Sequence, residues 1–307
     1  MPLSGLTPKL TALPSNVRGV HWGISAALFF SVMMTLIKLL GQTASVAQIL
    51  FIRQSVMFAV ALPVIATQFP NSLLSQRIGL HLVRVGFATC SMVASFLAII
   101  HLPLADATAL GFSRALFTTL FAILFLKEAV GGRRWMAILF GFLGVLVMLR
   151  PGGDGGGAGL DVYALLAVVG AACAAAVGIL IRILSRTERP ITILTYQAVC
   201  VGIIAAPFAA ISWVPLTTPQ WLMAIGIGLA SSAGQMCNIR SYRAGQASVV
   251  APLDYTKLIW TTLFGYALFS VLPGQHALLG ATIIIAASFY VLLQELRPAK
   301  RASARKP

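Results

Sequence analysis

The sequence predicts an all-α membrane protein with ten transmembrane helices in two inverted repeats of five. Three observations predict it. Hydrophobic residues make up 59% of the 307 and charged residues only 9%, with a mean hydropathy of +0.92, whereas a soluble domain carries roughly 25% charged residues. The apolar runs are each about 20 residues long, the length a helix needs to cross a bilayer. The third observation is an internal duplication. Thr118-Thr119-Leu120-Phe121 returns as Thr261-Thr262-Leu263-Phe264, and at the same offset Arg114 falls on Lys257, Ser113 on Thr256, Phe112 on Tyr255, Leu110 on Leu253 and Gln54 on Gln197. Lys38 falls on Arg182 with one gap. Each half holds five apolar stretches. Five is odd, so the second copy enters the membrane from the opposite side. Inverted repeats of this kind build carriers whose binding site lies between the two halves.

The spans read as 19–39, 46–67, 80–101, 104–126 and 132–149 in the first repeat (19–149), and as 161–184, 190–212, 219–241, 246–269 and 275–294 in the second (161–294). Residues 1–18 form a polar segment expected to be disordered. The span that follows is too long for a signal peptide, lacks a small-residue cleavage site before Gln42, and is succeeded by further spans. Spans 3 and 4 are separated only by Leu102 and Pro103, a division that rests on proline punctuation. The linker 150–160, Gly-rich between Pro151 and Gly159, reads as a flexible tether. It lacks the Lys-Ser or Lys-Thr of a phosphate-binding loop. Asp161 is placed to cap span 6. Gly141, Gly144, Ala171, Ala174, Ala175 and Gly178 are small enough to let helices approach closely in lipid. Residues 295–307 form a basic tail. No connection is long enough to hold a water-soluble domain.

The formal net charge is +15, which on a soluble protein would suggest nucleic acid. Its distribution says otherwise. Fifteen basic residues fall on the side that holds both termini: Lys9, Arg18, Arg77, Lys127, Arg133, Arg134, Arg186, Arg189, Arg240, Arg243, Arg297, Lys300, Arg301, Arg305 and Lys306. Arg150 alone falls on the other. This asymmetry is the positive-inside pattern. It predicts cytoplasmic termini in a multi-pass inner (plasma) membrane protein. The partners expected are the lipid bilayer, whose anionic headgroups the basic tail can touch, and a small-molecule substrate, with no nucleic acid. Cys90, Cys173, Cys200 and Cys237 all lie inside spans without a Cys-x-x-Cys pair, and read as packing residues. No cofactor motif is present. The sequence sets no oligomeric state.

Ionisable residues inside a membrane are costly and face a cavity or a partner. Lys38, Arg84 and Arg182 lie near span ends and are expected to snorkel to the interface. Arg53, Arg114, Asp254 and Lys257 lie deeper. Arg114 and Lys257 are repeat equivalents about halfway along spans 4 and 9, so inversion brings two cations near the pseudo-axis. They suit an anionic part of a substrate. Asp254 precedes Lys257 by three residues, on the same helical face. It either neutralises Lys257 or Arg53 permanently, or exchanges protons as the coupling ion during transport. Gly111 occupies its equivalent position, leaving Arg114 without a local partner. Phe112, Tyr255 and Trp260 supply aromatic pocket walls, with Phe117 equivalent to Trp260. Gln54 and Gln197 supply hydrogen-bonding groups. Gln235 and Asn238 lie within spans as well. His101 and Asp106 have the His-x4-Asp spacing of certain acyltransferases, but they flank a connection on the non-cytoplasmic side, away from acyl donors. The chain is therefore not read as an enzyme.

The stretch Pro103-Leu-Ala-Asp-Ala-Thr-Ala-Leu110, through Arg114-Ala-Leu-Phe-Thr-Thr119 to Phe125-Leu-Lys-Glu128, then Trp135 and Gly141-Phe-Leu-Gly144, resembles the EamA family of the drug/metabolite transporter superfamily. Ala251-Pro-Leu-Asp-Tyr-Thr-Lys257 is similar to the equivalent helix of that family's second repeat. The resemblance covers about 20–294 and is nearest the branch of S-adenosylmethionine uptake carriers. It implies ten helices, a central cavity and alternating access. Glu128 matches the family's acidic residue after the fourth helix. Val271 stands where the second repeat usually has Glu. With no ATP-binding machinery in the sequence, the expected function is secondary active transport of a small anionic or zwitterionic metabolite, amino-acid- or nucleoside-like. Export of hydrophobic or cationic drugs, with Asp254 as the contact, is one alternative. A non-transporting membrane scaffold is the other.

Overall fold

The computed structural model describes residues 15–67, 75, 77–126, 132–149, 161–184, 187–188, 190–245 and 250–303. The first half comprises α1 (Ser15–Leu40), α2 (Val46–Thr67), α3 (Ile78–His101), α4 (Leu104–Gly111), α5 (Arg114–Leu126) and α6 (Gly132–Leu149). The second comprises α7 (Val162–Leu184), α8 (Pro190–Ile211), α9 (Thr218–Ala244), a 3-10 helix (Ala251–Thr256), α10 (Lys257–Phe269) and α11 (Gln275–Ser303). Among the described residues, seven stretches are long and apolar enough to cross a membrane, with α4 and α5 counted as one stretch. The shorter apolar helices 135–149 and 275–290, and the 3-10 helix continued by α10, complete ten crossings.

The polarity pattern is that of a protein solvated by lipid. Leu139, Phe140, Leu143 and Leu146 of α6 and Ile203, Phe208 and Ile211 of α8 face outward. Ser31, Thr35, Gln48, Arg53, Gln54 and Arg84 are buried inside. Hydrocarbon cannot hydrogen-bond, so polar groups turn inward to find partners.

Packing runs mainly between the halves. The most extensive helix pairs are α1 with α9, α3 with α7, α6 with α11 and α2 with α8. Exchanging the repeats maps the first of these pairs onto the second and each of the others onto itself, as an inverted pseudo-two-fold requires. Close approach carries several of these contacts. A β-carbon on Gly280 would stand 2.7 Å from the Gly144 carbonyl oxygen, and one on Gly144 would stand 3.0 Å from that of Gly280. Ser91 donates to the Gly170 carbonyl (2.8 Å) and Ser241 to that of Gly19 (2.6 Å). Two trios result. In one, α1 packs against α9 and the 3-10/α10 crossing; in the other, α7 packs against α3 and the α4/α5 crossing.

Spans 4 and 9 are not the continuous helices the sequence predicts. The first breaks after Gly111, where Ser113 N–H donates to Leu110 and Leu116 N–H to Ser113, both three-residue bonds. The second opens as the 3-10 helix and becomes α-helical at Lys257. Arg114 and Lys257 are therefore the first residues of α5 and α10. Local 3-10 winding inside a long helix often marks a functional site.

Smaller differences concern the ends. Helix α1 already includes 15–18, and α11 carries helix through 295–303, where the sequence suggested a disordered segment and a plain tail. Asp161 caps α7 as expected, accepting from the Tyr163 N–H (2.8 Å) and the Ala164 N–H (3.3 Å). The linker 150–160 and Glu128 lie outside the described residues.

Candidate functional site: a cationic cavity between the repeats

A cavity of about 300 Å³ lies between the two trios. It is walled by Phe30, Met33 and Met34 of α1, by Ser91, Met92, Ser95 and Phe96 of α3, and by Thr108, Gly111, Phe112 and Arg114 of the α4/α5 crossing. Ala98 and Ile99 of α3, Ala107 of α4, Ala167 of α7, Asp254 and Lys257 complete the walls, with Arg53 reaching in from α2. Five of the residues read from the sequence thus share one cavity: Arg53, Phe112, Arg114, Asp254 and Lys257.

Asp254 and Lys257 form an ion pair, and the Lys257 ammonium also stands over the Phe30 ring, 4.9 Å from its centroid. The two side chains differ in access, Asp254 being 58% exposed and Lys257 20%. Arg53 is 7% exposed. It donates to Gln54 Oε1 (2.7 Å) and Ser231 Oγ (2.6 Å) and lies 3.6 Å from the Met92 sulfur. Those partners are all neutral, and its Nε has none. Arg114 reaches toward α7, with Nη2 3.7 Å from where a β-carbon on Gly178 would stand. Its guanidinium makes no ion pair or hydrogen bond among the described residues.

The other sequence candidates do not line the cavity. Tyr255 packs edge-on against Phe112 at 4.9 Å, backing the wall. Gln54 supports Arg53 and donates through Nε2 to the Gln197 carbonyl (3.2 Å), so these two repeat equivalents meet between the halves. Gln197 accepts from Arg84 through Oε1 (2.9 Å). Trp260 does not line the cavity. Phe117 turns away to pack on Phe121 and Phe142.

Arg84 does not snorkel. It is fully buried and donates to Gln197 and to the Ile193 carbonyl (2.8 Å). The facing helix α8 supplies its acceptors internally, so it need not reach an interface. Lys38, half-buried in the last turn of α1, stays at the span end, donating to the carbonyls of Ile99 (3.3 Å), Ile100 (3.1 Å) and Leu102 (2.6 Å) at the end of α3. The side chain of Arg182 lies outside the described residues. His101 stacks on Tyr163 at 3.8 Å and its Nδ1 lies 2.9 Å from the Leu97 carbonyl, an arrangement in which the ring packs beside α7. Cys90 and Cys173, 3.5 Å apart between α3 and α7, are neighbours that their sequence spacing does not suggest. Phe30, Met33, Met34 and Met92 are wall residues that sequence reasoning missed. They are apolar residues in apolar spans, and no pattern singles them out.

Comparison with known proteins agrees with this architecture. The model of the EamA-like transporter family matches twice, over residues 17–150 and 162–293. A riboflavin transporter of Vibrio cholerae serotype O1 is 28% identical over 93% of this chain and 96% of its own length. A pseudopaline exporter of Pseudomonas aeruginosa is 29% identical over 88% and 94%. An S-adenosylmethionine uptake transporter of Rickettsia felis is 25% identical over 96% and 98%. With two family matches that together cover most of its length, ten crossings in inverted halves and a cavity between them, the chain belongs to the EamA-like transporter family and is a multi-pass membrane transporter of a small molecule.

Proposed function

We propose that this transporter moves a small anionic or zwitterionic metabolite, amino-acid- or nucleoside-like, across the inner membrane by alternating access, with both termini in the cytoplasm. The observation that carries this reading is the charge of the cavity. Arg53, Arg114 and Lys257 line it with one carboxylate, that of Asp254. A guanidinium without a partner is an anion acceptor, because its planar fork of donors matches a carboxylate. The relatives named for riboflavin and for S-adenosylmethionine support a nucleoside-like metabolite. The Asp254–Lys257 pair weighs against a cationic drug as cargo, since the carboxylate such a cargo needs is already engaged.

Ligand binding to the native state raises thermal stability by mass action. The purified protein is therefore to be heated with acidic, zwitterionic, neutral and cationic metabolites, beside Arg114→Gln. Carboxylate-bearing compounds are expected to raise the midpoint. The variant should bind them about tenfold to a hundredfold more weakly, the worth of a hydrogen bond to a charged group. A shift with cations alone, retained in the variant, would instead assign export of cationic compounds to Asp254.

A further inference from the structure

We propose that the species this cavity carries is a dianion, its two negative charges held by Arg53 and Arg114. The inference rests on the anion reading above and narrows it.

The argument is a charge count. Four ionised side chains line the cavity: Arg53, Arg114, Lys257 and Asp254. Lys257 and Asp254 neutralise each other in an ion pair. Two positive charges remain. Neither has a carboxylate partner among the described residues. Arg53 has only the amide of Gln54, the hydroxyl of Ser231 and the sulfur of Met92 about it, and the guanidinium of Arg114, an exposed residue, makes no hydrogen bond or ion pair among the described residues. Arg53 is buried. A buried charge satisfied only by neutral dipoles keeps most of its desolvation cost. Filling the cavity with a zwitterion leaves that excess at two, and a monocarboxylate leaves it at one. Only a dianion brings it to zero. The chemistry that fits is a phosphate monoester or a dicarboxylate, both of which accept forked donation from guanidinium groups. Met33, Met34 and Met92 beside Phe30 provide a deformable apolar wall for the rest of the molecule.

The test uses the full-length purified protein at pH 8 and matched ionic strength, since surface charge effects vary with salt. Apparent dissociation constants are taken from the thermal-stability response to four probes: phenyl phosphate, succinate, benzoate and benzamide. At this pH phenyl phosphate is doubly charged, a phosphate monoester losing its second proton near pH 6. The dianions are expected to bind about tenfold or more tightly than benzoate, as a second charge-assisted contact implies, with no response to benzamide. Phenyl phosphate acting without succinate would identify a phosphate monoester, and succinate acting without phenyl phosphate a dicarboxylate. Arg53→Gln should bring the preference for the dianion close to unity while benzoate still binds through Arg114, and Arg53→Lys should restore it. If Arg53→Gln does not fold, Arg114→Gln tests the same count, because it too lowers the excess charge from two to one. Benzoate binding as tightly as the dianions would overturn the dianion assignment and leave the anion reading standing. Silence from all three anions would overturn both.

Discussion

If transport is coupled to protons, Asp254 is the side chain placed to carry the coupling. Its carboxylate pairs with Lys257, yet the side chain is 58% exposed, so a proton can reach it in the state described. Intramembrane carboxylates of this kind serve proton relays in transporters. Protonation would release Lys257 and add a positive charge to the cavity; deprotonation would restore the pair. Asp254→Asn is therefore expected to abolish uptake driven by an imposed pH gradient and to spare exchange of substrate across the membrane, both measured in proteoliposomes. Full gradient-driven uptake in the variant would make Asp254 a fixed partner of Lys257 instead. The sequence made this residue legible because an acid in the middle of an apolar span stands out. It also made Arg53, Arg114 and Lys257 legible, for the same reason. It misplaced Arg84. Distance from a span end suggests a route to the interface, but whether the side chain takes that route depends on acceptors from another helix, here Gln197 and Ile193.

At the scale of elements, the helices themselves were legible and their internal breaks were not. Twenty apolar residues announce a crossing whatever the local winding. The change to 3-10 geometry before Arg114 and Lys257 leaves little trace: Pro252 opens the second break, but the first falls at Phe112-Ser113, with no proline at the turn. The repeat supplies the missing signal after the fact, since the two breaks occupy equivalent positions. Small residues gave a clearer forecast. Gly144 was expected to permit close packing, and it meets Gly280 of α11, where each glycine's β-position crowds the other's carbonyl oxygen. In lipid such contacts replace the hydrophobic effect as the source of helix association. A methyl group at Gly280 has backbone 2.7 Å away, and backbone cannot rotate aside. Gly280→Ala is therefore expected to force α6 and α11 apart and to destabilise the protein by about 1–3 kcal/mol, the usual cost of overpacking. The thermal midpoint in detergent measures this. An unchanged midpoint would mean that the α6–α11 contact can relax without loss.

For the whole molecule, the two trios set how the cavity can open. One is built on α1 with α9 and the 3-10/α10 crossing, the other on α7 with α3 and the α4/α5 crossing. Helices α1 and α7 are repeat equivalents, as are α9 and α3, so the pseudo-two-fold exchanges the trios. The cavity lies between them: Phe30, Asp254 and Lys257 belong to one, Met92, Phe112 and Arg114 to the other. Rocking of one symmetry-related body against its partner around a central site is how inverted-repeat carriers alternate access. If the trios are those bodies, contacts within a trio persist through the cycle and contacts between trios change. Cys90 and Cys173 offer a native probe. Their sulfurs are 3.5 Å apart, on α3 and α7 of the same trio. Oxidising them to a disulfide with a copper–phenanthroline catalyst joins two helices that should never separate. Transport of whichever compound the stability panel identifies is expected to continue at close to its unmodified rate, with Cys90→Ser confirming by mass that the bond requires this pair. A block on transport that appears with the disulfide, and is absent from Cys90→Ser under the same oxidant, would show that α3 and α7 move against each other. The rocking boundary would then run through this trio and not beside it.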